Sequence, residues 1–374
     1  MFHRTVGILF LSLSLSAMLW AGPSQRYNVR GKLMDAETGA PIRYANVFLA
    51  NTTRGTTSLA DGSFTIERVP PGRYELVVSM MGYAGQRRQI KLIRHNLTLY
   101  TIRLAPKAII GETITITAER NRKWKRQLSQ FKTLFLGLSP HAKQCKIKNP
   151  ELISFEETGN GGLAAHADGP LKIENRTLGY IITFYMHRFS VTAYGNLSYE
   201  GDSQFSEMQT EDAAQQRRWQ RARKKAYCGS LKHFLKSLAA GTLADEGFVT
   251  YSLTGLPTPR ATVSRTLLNT DSLSTPGDLA HEAILHLPRY LQVVYTQAAE
   301  PRFYTEIRRS MRHKFGEEFI KGPSEETIYP ISYLEVHSPN LIVHLDGFIY
   351  TPQLLTTRGY WAWERMADML PLDY

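Results

Sequence analysis

The chain has 374 residues, 43% hydrophobic and 21% charged, which is an ordinary globular composition with length for two domains and enough apolar residue for a core in each. Its two cysteines exclude a four-thiolate zinc site. The formal net charge of +12 points toward polyanionic partners.

Residues 1–22 have the order of a secretory signal: Arg4, the uncharged run Val6 to Trp20, then the small pair Ala21-Gly22. The run is shorter than the ~20 residues that span a bilayer as a helix. Leu19 stands where a small residue favours cleavage after Ala21, so an uncleaved anchor is the alternative. No later segment is long and apolar enough to span. The mature chain is therefore expected to be soluble or peripheral, in the periplasm or at the outer membrane. Removing the segment takes away Arg4 and no acid, lowering +12 to +11. Nucleic acid is then excluded as a partner. Anionic lipid, lipopolysaccharide, acidic glycan or a protein partner remains, with a merely solvated basic surface as the bland alternative.

From residue 26 to 105, turn signals punctuate short alternating segments, the mark of an antiparallel sandwich. Val29, Gly31 and Leu33 alternate with polar neighbours, and a turn follows at Asp35–Gly39. Ala45, Val47 and Leu49 alternate again, and Asp61-Gly62 reads as a hairpin turn. Phe64 and Ile66 share a face of the next strand. Pro70-Pro71-Gly72 is expected to be a tight turn with Gly72 left-handed. Tyr74, Leu76 and Val78 then alternate with Glu75, Val77 and Ser79, and two more strands fit at 86–93 and 97–104.

The order GKLMDAETGAPIRYANVFL, then GTTSLADGSFTIERVPPGRYELVVSMMGY, resembles the carboxypeptidase regulatory-like domain. The resemblance implies a seven-stranded, transthyretin-like antiparallel sandwich with an accessory role and no active site. Such modules follow the catalytic domain of some metallocarboxypeptidases and precede the plug of many TonB-dependent receptors. Residues 106–123 read as a linker, with an edge strand over 112–118 similar to the lead-in before such plugs. Too few residues remain for a plug and a large barrel.

The fold class is thus mainly β, with a larger α+β domain over 124–374. A helix is expected over 124–136, from Trp124, Leu128, Phe131, Leu134 and Phe135. Strands are expected at 152–155, 162–167, 171–174 and 180–187, with a hairpin turn at Gly159–Gly162. Residues 211–240 read as one helix with an apolar stripe of Trp219, Ala222, Tyr227, Leu231, Phe234 and Leu238. Arg217, Arg218, Arg221, Lys224, Lys225, Lys232 and Lys236 fall roughly on its other side, and the first five form a candidate anion-binding face, with a merely solvated face as the alternative; Arg223 lies near the apolar side. Strands follow at 248–253, 290–296, 328–337 and 341–350, with 254–289 as a long connection. The terminal GYWAWERMADMLPLDY starts as a docked helix. This region is similar to the C-terminal part of a group of exported bacterial proteins that brings no activity with it.

No catalytic signature stands out. None of the 11 histidines is followed by Glu three positions on, so the carboxypeptidase zinc motif is missing. His281-Glu282 to His286 has i+5 spacing, off the single helix face that HExxH needs. There is no GxSxG elbow. Cys145 and Cys228 form a candidate disulfide, with inert thiols as the alternative; His141 and His233 lie near them in sequence as would-be bases. The pairs Glu156-Glu157, Glu317-Glu318 and Glu325-Glu326 are adjacent, not set across a cleft. No cofactor or metal is expected. The leading reading is a non-catalytic exported binding or scaffold protein. The alternative is a hydrolase of unrecognised class acting on envelope glycans or peptides.

Overall fold

The computed structural model describes residues 25–99, 101–107, 118–193, 195–257, 263–270, 272–306 and 328–374. The expected signal segment and most of the 112–118 strand lie outside them.

The sandwich forms from β1 (Tyr27–Asp35), β2 (Asn46–Leu49), β3 (Gly55–Thr57), β4 (Ser63–Val69), β5 (Gly72–Ser79), β6 (Gln86–Leu92), β7 (Leu97–Thr98) and β8 (Ile102–Leu104). One sheet holds β4, β1, β7 and β8; the other runs β3-β2-β5-β6. Val29, Leu33, Ile66, Val47, Leu76 and Ile90 meet between them, as the alternation requires. The strand expected over 97–104 is two short pieces, and both pair parallel to β1.

Two turn readings need correction. Asp61-Gly62 does not close a hairpin, because β3 and β4 belong to opposite sheets. Asp61 accepts from Ser63 N–H at 2.9 Å and Oγ at 2.7 Å, and Gly62 takes φ 81°, so the pair turns the chain across the sandwich. At the next crossing Gly72 is not left-handed; Arg68 carries the positive φ, 55°. Gly72 matters for space, since a Cβ there would lie 2.9 Å from the Tyr74 ring.

Helix α1 (Ala118–Leu136) leads into β9 (Cys145–Ile147), β10 (Ile153–Thr158), β11 (Gly162–Ala167), β12 (Leu171–Asn175), β13 (Tyr180–Val191) and β14 (Leu197–Glu207). The hairpin at 159–161 joins β10 to β11 as expected. Phe131 and Phe135 of α1 are fully buried against Phe189 and Phe184, with centroids 4.7 and 5.0 Å apart. Burying each such ring contributes about 1.5–3 kcal/mol. The second face of the sandwich sheet is also covered: Phe48, Ala50 and Val77 pack beneath Tyr185 of β13, and the Phe48–Tyr185 centroids are 5.1 Å apart. Asn51 N–H bonds Ser203 O at 2.6 Å, and Phe205 N–H bonds Thr52 O at 3.0 Å.

The single helix expected over 211–240 is two, α2 (Ala213–Tyr227) and α3 (Leu231–Ala240). Gly229 breaks them with φ 82°, and its missing Cβ makes room for the Tyr295 ring. Ser230 then caps α3.

The remaining strands are β15 (Phe248–Leu253), β16 (Arg265–Leu267), β17 (Ser274–Pro276), β18 (Glu282–His286), β19 (Tyr290–Tyr295), β20 (Ile331–Val336), β21 (Asn340–His344), β22 (Phe348–Ile349) and β23 (Leu355–Gly359). They form two sheets, β16-β15-β19-β20-β23 and β17-β18-β21-β22. Residues 254–289 therefore supply strands as well as connection. Phe234, Leu235 and Leu238 of α3 share a core with Phe248, Leu285, Leu291 and Leu341. The expected terminal helix is one turn, α4 (Tyr360–Trp363), with Trp361 6% exposed and Met366 fully buried.

Candidate functional site

The candidate site is the outer face of α2. Asp212 starts the helix by accepting the Ala214 N–H at 2.8 Å, which holds its carboxyl below the usual range. One side is fixed to the body. The Trp219 indole lies on Gly179, where a Cβ would sit 2.3 Å from the ring, and its Nε1 donates to Arg176 O at 2.9 Å. Arg223 is buried on the same side. It donates from Nε to Leu178 O at 2.7 Å, from Nη1 to Glu207 at 3.0 Å and from Nη2 to Gly179 O at 3.2 Å. Its guanidinium lies 4.0 Å over the Tyr180 ring. The one cation that the helical wheel set on the apolar side is thus a structural residue.

Arg217, Arg218, Arg221, Lys224 and Lys225 are all exposed. At 100° per residue they span roughly 120° of arc and about 12 Å of helix. Arg218 is engaged locally, with Asp212 at 3.1 Å and Gln215 at 2.8 Å. The other four make no hydrogen bond or ion pair with a described residue. Lys224 and Lys225 also sit in the last turn, where cations favour the helix dipole. The arrangement offers two forked guanidinium groups and two ammonium groups to an anion, with no acid facing them on the helix.

The other sequence candidates are explained by the fold. Cys145 and Cys228 are free thiols, one packed on the α1–β13 core and the other on the α3 core, so the expected disulfide is not formed. Burial pushes the Cys145 thiol up to about 12, with Asp368 adding to the shift, so it is no nucleophile. His141 pairs through Nδ1 with Asp368 at 2.8 Å. His233 Nδ1 accepts the Gly229 N–H at 3.1 Å, and its Nε2 faces Glu246 at 3.1 Å. Burial lowers its pKa, and Tyr227, Phe248 and Tyr295 surround it.

His281 precedes strand β18, not a helix, while His286 bonds Asn340 at 2.8 Å and Thr275 at 2.9 Å. Among the described residues, no group of three or more His, Cys, Asp and Glu stands placed for a metal. Glu156 and Glu157 are exposed, and Glu157 pairs with Lys123 at 3.0 Å. Glu317, Glu318, Glu325 and Glu326 lie outside the described residues. A cleft of 380 Å³ between α3 and β17–β18 has Glu282 as its one ionisable lining residue. Arg73 already holds that carboxylate at 2.5 Å.

Sequence reasoning missed the Arg73–Glu282 pair and misplaced Lys232, which the helical wheel set on the outward basic side but whose Nζ donates to Pro371 O and Leu372 O, both at 2.9 Å. Their partners are over a hundred positions away, and no local pattern announces them.

Residues 29–116 match the CarboxypepD_reg-like domain. No curated protein matches the chain. Among solved structures, a type II cohesin–X–dockerin complex from Acetivibrio cellulolyticus is 19% identical over 27% of this chain and 71% of that one, with TM-score 0.21. A putative membrane-associated protein of unknown function from Bacteroides fragilis is 15% identical over 50% of this chain and 84% of that one, with TM-score 0.18. A DUF3823 family protein from Bacteroides uniformis is 8% identical over 86% and 99%, with TM-score 0.18. TM-scores this low establish no shared fold for the whole chain. No enzyme family is identified.

Proposed function

We propose that this chain, whose residues 29–116 are a CarboxypepD_reg-like domain, is a non-catalytic exported protein that holds a polyanionic component of the cell envelope on α2. In this reading residues 26–105 are a docked accessory module, 106–123 a link and 124–374 the binding part. The signal-like order of residues 1–22 supports export.

The observation that carries the reading is the contrast along α2. Arg223 spends its donors inside the fold, while the side chains of Arg217, Arg221, Lys224 and Lys225 stand exposed without partners among the described residues. Clustered unpaired cations recognise phosphate or sulfate through charge-assisted hydrogen bonds. The hydrolase alternative has less support, because the cleft's single carboxylate is already tied to Arg73.

The test is a thermal-shift titration with a sulfated polysaccharide at low and high salt. Stabilisation that fades with salt, and that is lost in R217E/R221E/K224E, is the expected outcome. Equal stabilisation of the triple variant overturns the reading.

A further inference from the structure

One end of the sandwich carries three exposed apolar side chains on three loops. In the sheet β3-β2-β5, Asn46 pairs with Thr57 on one side and Ser79 on the other. The start of β2 and the ends of β3 and β5 therefore lie at one end of the sheet, and Tyr44, Leu59 and Met81 stand on the loops two residues beyond these pairs. Ser58 N–H donates to Ala45 O and Ser58 O accepts from Tyr44 N–H, both at 2.9 Å, so Tyr44 and Ala45 both oppose Ser58 and Tyr44 stands next to Leu59 in a bulge. Tyr44, Leu59 and Met81 are 67%, 63% and 83% exposed.

Tyr44 is held there in a left-handed conformation, φ 62°, which a residue with a Cβ seldom adopts. Ser58 maintains it: its Oγ accepts the Ala45 N–H at 3.0 Å and donates to Ile42 O at 2.7 Å. Such backbone strain persists where the surroundings enforce it, and it gathers at working surfaces. Single exposed apolar residues are ordinary on protein surfaces; three on neighbouring loops at one end of a sheet are more than scatter.

The charge around these tips is positive. Residues 26–107 hold thirteen Arg and Lys against five Asp and Glu, a net +8 of the chain's +12. Arg43 lies 5.9 Å over the Tyr44 ring. Lys107 donates its N–H to Gly82 O at 2.8 Å, beside Met81. Lys32 is paired in register with Ser63, whose carbonyl accepts the Leu59 N–H. Three acids share this end. Asp61 is turned onto Ser63, Asp35 caps its own turn and accepts from Tyr83, and Glu37 is exposed. The opposite end, Asn51–Arg54, is taken up by β14 and the C-terminal residues.

We infer that this end of the sandwich docks on an anionic lipid bilayer: Tyr44, Leu59 and Met81 enter the interfacial layer, and Arg43, Lys32 and Lys107 lie against the lipid phosphates. Apolar tips with a basic collar suit that surface, since insertion supplies apolar burial and the collar supplies attraction to negative headgroups. Tyrosine, apolar in body and polar at its tip, belongs at that depth. Convex tips on three separate loops fit a soft, fluid layer better than the rigid groove of a protein partner.

The test is co-sedimentation of the exported protein with phosphatidylglycerol-containing vesicles and with pure phosphatidylcholine vesicles. The protein is expected to sediment with the anionic vesicles, and L59D/M81D to lose affinity by roughly tenfold or more. The salt-sensitive stabilisation by the sulfated polysaccharide is expected to persist in L59D/M81D, which separates this surface from the α2 face. As a second readout, M81W is expected to shift its emission to the blue on anionic vesicles. No vesicle binding, undiminished binding by L59D/M81D, loss only on reversal of α2, or an unshifted M81W on sedimenting vesicles each overturns the inference. Retention of L59D/M81D-sensitive binding by a protein, without lipid, does so as well.

Discussion

Arg73 on β5 and Glu282 at the head of β18, 209 residues apart, meet through Nε–Oε1 at 2.5 Å and Nη2–Oε2 at 3.2 Å. The Glu282 side chain has no exposed surface, so this pair ties the sandwich to the last sheets from inside. R73L leaves a buried carboxylate without its countercharge, which costs about 3–5 kcal/mol. R73L/E282L is expected to recover much of that loss. Urea midpoints of the two single variants and the double variant check this. Additive losses would mean that the pair is not coupled.

Lys232 gives a pH signature. Burial lowers its pKa to about 8. The folded state therefore sheds this proton near pH 8, while the unfolded chain keeps it to the ordinary lysine range near pH 10. Between those values the unfolded state binds more protons, so stability rises with pH. Chemical denaturation across pH 7–10 should show that rise in the parent and a flatter profile in K232M. A fall over that window in the parent contradicts the assignment.

Glu364 acts in the opposite sense at lower pH. Burial raises its carboxyl well above the ordinary range, with Asp368 adding to the effect. The folded state holds this proton longer than the unfolded chain does. Its contribution is complete below about pH 4.5 and is lost as pH rises through the folded pKa. E364Q removes the charge that must otherwise be buried at neutral pH. It should raise the Tm at pH 7 and leave it nearly unchanged at pH 4. A lower Tm at pH 7 would mean that the carboxylate has an unseen partner.

The thiols are expected to follow burial, not pairing. A thiol pushed up to about 12 is almost wholly protonated at pH 8, so Cys145 should resist iodoacetamide in the folded protein and react at once in urea. Intact-mass counting of labelled thiols should find two free groups after unfolding without reductant. Finding none would establish the disulfide after all.

Much of the sandwich was legible because each strand obeys a local rule. Val29 and Leu33, or Phe64 and Ile66, alternate with polar neighbours on one buried face. The α2 face was legible for the same reason: period 3.6 separates Trp219 and Arg223 from Arg217 and Lys224. The errors fall where a partner far along the chain decides. Asp61-Gly62 has hairpin chemistry, but β3 and β4 are claimed by β2 and β1 in different sheets. Val77 read as the outward side of β5 until Tyr185 covered it. The stripe across 211–240 is continuous in sequence, yet Gly229 must turn to admit Tyr295. Of the candidate sites, residue type and spacing located the basic face but not the tips Tyr44, Leu59 and Met81. Those three tips become visible only when the fold brings their loops to one end of the sandwich.

Thr53 and Asp373, joined through Oγ1 and Oδ2 at 2.5 Å, lie 320 residues apart. The sandwich can assemble from contacts within its own 80 or so residues, roughly the scale at which loop closure is fast. The cover of its outer face cannot form until Tyr185 of β13 arrives, roughly a hundred residues further on. In that interval Phe48 and Val77 present an uncovered apolar face to whatever is nearby. The period just after the sandwich emerges is therefore when aggregation and chaperone capture compete with folding, and slowing the arrival of β13 should lower the yield of folded protein before it lowers the stability of what does fold.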